Sequence, residues 1–142
     1  MGSDTGPYQL ESRLPEEMSS ITLARRLTRR ALAECGYGGY HEDVLLVVSE
    51  LVTNALVHGE GPPLLRVSGD RVRVRVEVGD AGVDVPEPRE PGPAHGWGLH
   101  VIKLLCSGWG VAHKDEGKVV WCELGAPFAP ATSPAAFPGT GG

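Results

Sequence analysis

The spacing of apolar residues along this chain changes character several times, and each change predicts an element. YQLESRLP, residues 8–15, alternates weakly and predicts a first strand that ends at Pro15. SSITLARRLTRRALAECG follows with a helical period: Leu23, Leu27, Ala31 and Leu32 share a face, Ser19 or Ser20 is placed to cap it, and Gly36 stops it. Arg25, Arg26, Arg29 and Arg30 lie largely off that face and give the helix a basic side. From about His41 to His58, Val44, Leu45, Val48, Leu51, Val52 and Ala55 leave little polar surface. That density predicts the central helix of the domain, closed by Gly59.

The period then falls to two. Leu65 and Val67 precede a turn at Ser68-Gly69-Asp70, after which Val72, Val74, Val76 and Val78 alternate with Arg71, Arg73, Arg75 and Glu77. Alternation of this kind predicts a hairpin with one buried face and a solvated arginine face. Asp80 to His95 is rich in Pro and Gly and predicts a long loop, of the sort that often serves as a lid. A third helix is expected from about Gly98 to Cys106, closed by Gly108, and two short strands around a turn at residues 115–117 complete the pattern. The order of strand, helix, helix, hairpin, loop, helix, hairpin predicts an α+β sandwich, a mixed and mostly antiparallel sheet with about three helices on one face. Residues 1–7 and the Pro/Ala/Gly-rich stretch 125–142 read as flexible tails, leaving 8–124 as the domain.

Composition narrows the function. A chain of 142 residues supports one substantial core. The formal net charge of -5 argues against a general nucleic-acid binder or a binder of anionic membranes. Cys35, Cys106 and Cys122 are odd in number and widely spaced, the pattern of free thiols in a reducing compartment, with Cys106 and Cys122 among aliphatic residues as small buried hydrophobes. The start MGSDTGPY lacks the regions of a signal peptide, and no apolar run reaches the roughly 20 residues of a membrane span, so a soluble cytoplasmic protein is expected.

Three places depart from local structural rules. Glu50, Asn54 and His58 recur at intervals of four on the otherwise apolar central helix, so they stack into one polar stripe. Such a stripe is either a partly exposed helix edge or a site in which an amide oxygen holds a divalent cation while the carboxylate polarises a hydroxyl. Asp80 ends a half-buried strand and is followed by Ala81-Gly82, which reads as an ordinary Asp-x-Gly turn or as a carboxylate beside a glycine that lets a flat ligand approach. Gly96, Gly98 and Leu99 open the third helix, where backbone amides form an anion site. This Gly-Trp-Gly-Leu is neither a dinucleotide fingerprint nor a P-loop, since it lacks the third glycine of one and the lysine of the other.

Taken in order, these three pieces resemble the GHKL superfamily of ATP-binding domains, the Bergerat fold, and within it the small anti-sigma-factor serine kinases of bacteria. SELVTNALVHG is similar to the family's N-box, VEVGDAG to its G1 box, HGWGLHVIKLLCSGWG to its G2 box, and GKVVWCEL to its closing strands. The resemblance spans about Tyr8 to Leu124. It implies that Asn54 ligates a Mg²⁺ bridging the phosphates of ATP, that Glu50 is the general base, and that Asp80 accepts from the adenine amino group beside Gly82. Gly96, Gly98 and Leu99 match the segment that covers the phosphates. The implied activity is a serine/threonine protein kinase that phosphorylates an anti-anti-sigma partner of the STAS type, holds a sigma factor, or does both. The alternative is a non-catalytic binding module on the same fold, regulated by nucleotide or no longer binding it. Small kinases of this group are often homodimers. Asp84 and Val119 stand where the family pattern has a glycine and a threonine, and Arg89 is the one basic residue of the loop.

Overall fold

The computed structural model describes residues 7–82, 98–114 and 117–127. Eight elements follow one another: β1 (Tyr8–Arg13), α1 (Ser20–Cys35), α2 (His41–His58), β2 (Leu64–Gly69), β3 (Arg73–Asp80), α3 (Gly98–Leu105), β4 (Gly108–Lys114) and β5 (Gly117–Gly125). The strands form one sheet in the order β1-β2-β3-β5-β4, and each of its pairings is antiparallel. The last strand is therefore interior. Its nine residues lie between β3 and β4, longer and more central than the short closing strand that the sequence pattern predicts.

The helices form the second layer, with α1 over β1 and β2, α2 over β3 and β5, and α3 against α2 and β4. On the sheet's helix-facing side the period of two works as expected. Leu65, Val67, Val74, Val76, Val78, Val120, Cys122 and Leu124 are buried there against Val44, Val47, Val48, Leu51, Val52 and Ala55 of α2. Full burial of each large aliphatic side chain contributes about 1.5–3 kcal/mol, which makes α2 the helix around which the core is organised.

The opposite sheet face carries charge in register. Arg66 bridges Glu11 and Glu77, Arg75 bridges Glu77 and Glu123, and the Arg75 guanidinium lies 4.4 Å from the centre of the Trp121 ring. Arg66 and Arg75 of the hairpin thus belong to a paired surface layer. Val72 differs from its predicted place in the strand: it sits in the turn, where its N–H and that of Arg73 donate to Asp70 Oδ1 at 2.8 and 2.9 Å.

Two details of α1 also differ. Ser19 holds the cap position with helical backbone and makes no capping bond; its hydroxyl donates to Glu17 instead, and that of Ser20 donates to the Pro15 carbonyl. The buried face centres on Ala24, Thr28, Ala31, Leu32 and Cys35, with Leu23 and Leu27 flanking it, because small residues let α1 lie close to the layer beneath. Gly36 ends the helix in the left-handed region at φ 66°, as the sequence predicts. Arg25 is drawn out of the basic side: its Nη1 donates to Ser49 Oγ at 2.8 Å and to the Leu45 carbonyl at 3.4 Å, tying α1 to α2.

Among the described residues no helix is long and apolar enough to cross a membrane. The three cysteines are free. The Cys122 thiol is held far above its ordinary range, first by its hydrogen bond with the Cys106 thiol and then by burial, which keeps it protonated and inert.

Candidate functional site

Helix α2 places the candidate residues along one line. Glu50 and Asn54 stand one turn apart and are half-buried, whereas His58, at the end of the last turn, is exposed. The stripe predicted from spacing is thus divided: two members sit partly within the fold and the third faces solvent. Burial raises the Glu50 carboxyl above its ordinary value. A carboxylate in such surroundings is a better base than an exposed one, because its charged form is less stabilised by water.

The C-terminal end of α2 abuts Asp80. Gly59 leaves the helix with extended backbone, not the left-handed conformation of a helix-capping glycine, and its use is spatial. A Cβ there would strike the Asp80 carboxyl group and the Ala55 carbonyl. Ala81 N donates to the Glu60 carbonyl at 2.8 Å, which fastens the end of β3 to the end of the helix.

Asp80 itself is buried, and among the described residues its donors converge on Oδ1: Gly82 N at 2.7 Å, Lys118 Nζ at 2.9 Å and Glu60 N at 3.4 Å. The Asp-x-Gly turn is therefore present, and it is part of a larger cage. Gly117 completes it from β5, with φ 146° and in a place where a Cβ would collide with the Asp80 backbone carbonyl, so that only glycine fits. Gly82 is buried beside the carboxylate.

Lys118 and Gly59 are the residues that sequence reasoning missed. Lys118 lies directly across the ladder from Asp80 and faces the same side of the sheet. Val119, where the family pattern has a threonine, pairs with Gly79 and faces the charged side, away from Asp80. The partner of the carboxylate could not be read from the sequence because β3 and β5 are joined through α3 and β4, so no local count fixes their register.

The residues at the start of α3 are described in part. Gly98 begins α3 and Leu99 lies in its first turn, with the Leu99 side chain outside the described residues. Gly96, Asp84 and Arg89 also lie outside them, together with the rest of residues 83–95 of the predicted loop. Among the described residues no group of three His, Cys, Asp or Glu side chains could hold a metal ion. Among the described residues, then, no dedicated protein cage for a metal is built. The Asn54 amide oxygen one turn from Glu50 does suit Mg²⁺, which usually takes one or two protein ligands and completes its shell with phosphates and water.

Geometry orders these groups. At about 1.5 Å per residue along a helix, Asn54 lies roughly 7.5 Å and Glu50 roughly 14 Å along the axis from Gly59, beside which Asp80 sits. From one end to the other this gives a buried carboxylate between two glycines, a carboxamide and a half-buried carboxylate.

These groups stand on the central helix and an inner strand of a two-layer α+β sandwich. The chain belongs to the histidine kinase-like ATPase domain family, whose model matches residues 14–124. Among solved structures it is similar to the RsbU and RsbW domains of Rv1364c from Mycobacterium tuberculosis, with a TM-score of 0.62 and 23% identity over 89% of this chain. It spans 35% of that protein's chain, so the likeness is one of fold. Among curated proteins none matches.

Proposed function

We propose that this protein is a Mg-ATP-binding regulatory serine kinase of the anti-sigma-factor type. It phosphorylates an anti-anti-sigma partner of the STAS type, sequesters a sigma factor, or does both. The observation that carries this reading is the alignment on α2 of half-buried Glu50 and Asn54 with Asp80 at the helix end, in a chain of the ATPase family. In the reaction, the serine oxygen attacks the γ-phosphorus, the bond to the bridging oxygen breaks and ADP leaves. The hydroxyl proton passes to Glu50. Asp80 accepts from the base, and the start of α3 directs amides at the phosphates. Asn54 would hold Mg²⁺, which supplies charge neutralisation along the phosphates. Most of the rate gain would come from positioning and electrostatics, as in phosphoryl transfer generally.

One observation favours the second reading, a non-catalytic module on the same fold: Asp80 Oδ1 is already engaged by Lys118. Calorimetric titration with ATP, with and without Mg²⁺, separates the two. Asn54→Ala should abolish the Mg²⁺-dependent part of the affinity and leave the fold intact. Asp80→Asn is the less informative variant, because it strands a buried ammonium at a cost of about 3–5 kcal/mol. Where ATP binds, incubation with the candidate partner decides catalysis. Phosphoserine that appears with wild type and not with Glu50→Gln supports the kinase, and its absence at any enzyme concentration leaves the binding module.

A further inference from the structure

Lys118 and Asp80 form an ion pair at 2.9 Å, with side chains only 4% and 2% exposed. A buried pair of this kind is weak evidence of a stabilising role, since well-packed hydrophobic residues of similar volume do as well or better. Its position has a different consequence. The register Asp80↔Lys118 sets the two residues side by side on β3 and β5, so the ammonium reaches the carboxylate along the inner face of the sheet.

The carboxylate has little left to offer a ligand. Oδ1 accepts from Gly82 N at 2.7 Å, Lys118 Nζ at 2.9 Å and Glu60 N at 3.4 Å. Oδ2 is turned toward Gly59, where a Cβ would lie 2.5 Å from it. A carboxylate oxygen has about two lone-pair directions, so three donors already fill Oδ1 and another enters only as one leaves. The two amides are held in place. Gly82 N belongs to the turn that follows β3, and Glu60 is fastened there by its own carbonyl, which accepts from Ala81 N at 2.8 Å. Lys118 Nζ alone hangs on a flexible four-carbon stem.

We propose that Lys118 is an internal latch on this end of the site: its ammonium occupies the place at Asp80 that the donor of a bound base needs, and the pocket opens only when the pair separates. The inference rests on the nucleotide-binding reading above, in which Asp80 faces the base. A latch of this kind lowers the apparent affinity by the fraction of molecules in which it is open. Its removal tightens binding, even though it deletes a positive charge from a site for a polyanion. A lysine that only held the fold, or that attracted phosphates, would have the opposite sign.

The test measures the affinities of wild type and Lys118→Ser for ATP and for adenosine, which carries the base without phosphates, with thermal unfolding run in parallel. Lys118→Ser should bind both ligands at least about tenfold more tightly than wild type, and by similar factors, because the change lies at the base end. ATP should also raise the unfolding temperature of the variant more than that of wild type, since the base restores a donor to the carboxylate. If Lys118→Ser does not fold, Lys118→Thr is read in its place, its branched side chain suiting an interior strand. Equal or weaker binding of both ligands by the variant overturns the latch and leaves nucleotide binding standing. Tighter binding of ATP with adenosine unchanged also overturns it, because the effect would then lie away from the base. Failure of wild type and variant alike to bind either ligand overturns the nucleotide reading and this inference with it.

Discussion

Glu50 is a carboxylate placed where a carboxylate is disfavoured. Burial in α2 raises its pKa above the ordinary value, so in the folded protein it gives up its proton less readily than in the unfolded chain. The sign of the linkage follows. The stability associated with this group is fully present below the unfolded pKa and is lost as pH rises through the folded one, because there the native state must hold a charge in a poorly solvated place. Glu50→Gln should therefore match wild type in stability below pH 4.5 and exceed it once pH has risen through the folded pKa, as thermal unfolding on either side of that window would register. The same variant should lose phosphoryl transfer. A gain in stability joined to a loss of activity distinguishes a working group from an incidental one. Spacing alone made Glu50 and Asn54 legible in the sequence, since polar residues four apart on an apolar helix must share a face. It could not show that His58 would be exposed, because helix burial ends where the neighbouring elements end.

At the scale of elements, α2 and the hairpin of β2 and β3 were readable because each has one dominant period, with Gly59 closing the helix and Asp70 holding the turn. The contact between them was not readable. Gly59 looks like an ordinary helix stop in the sequence, yet it is extended, and the space above it is taken by Asp80. Gly59→Ala should consequently cost about 1–3 kcal/mol through overpacking, with little contribution from backbone strain, since its φ of -95° suits any residue. Its effect on nucleotide affinity should exceed its effect on stability, which parallel calorimetry and urea unfolding would separate. Arg25 makes a similar point about α1. Read as one of four exposed arginines, it is the one bonded to Ser49 and Leu45 across the helix pair. Arg25→Ala should cost about 1 kcal/mol in urea unfolding, while the exposed Arg26, Arg29 and Arg30 should each change stability by less than about 0.5 kcal/mol when truncated.

Across the whole molecule, the two faces of the sheet are stabilised by different means. The inner face is an apolar layer against the helices, with the Asp80–Lys118 pair at its end, and the pattern of alternating valines predicts the apolar part directly. The outer face presents a line of ion pairs from Glu11 through Arg66, Glu77 and Arg75 to Glu123, and beneath it Trp121 is only 2% exposed. Trp121 is fitted against Gly110, where a Cβ would come within 2.9 Å of the indole ring. The pairs are partly solvated, with Arg66 and Glu11 exposed by 40% and 49% at their side chains, so each is worth at most about 1 kcal/mol and is screened by salt. The indole is not screened. Trp121→Ala should cost about 3–5 kcal/mol, Arg66→Ala less than about 1 kcal/mol, and added salt should leave the wild-type unfolding midpoint nearly unchanged. A large salt-dependent loss of stability would instead mean that the charged line, and not the aromatic ring under it, holds the outer face together.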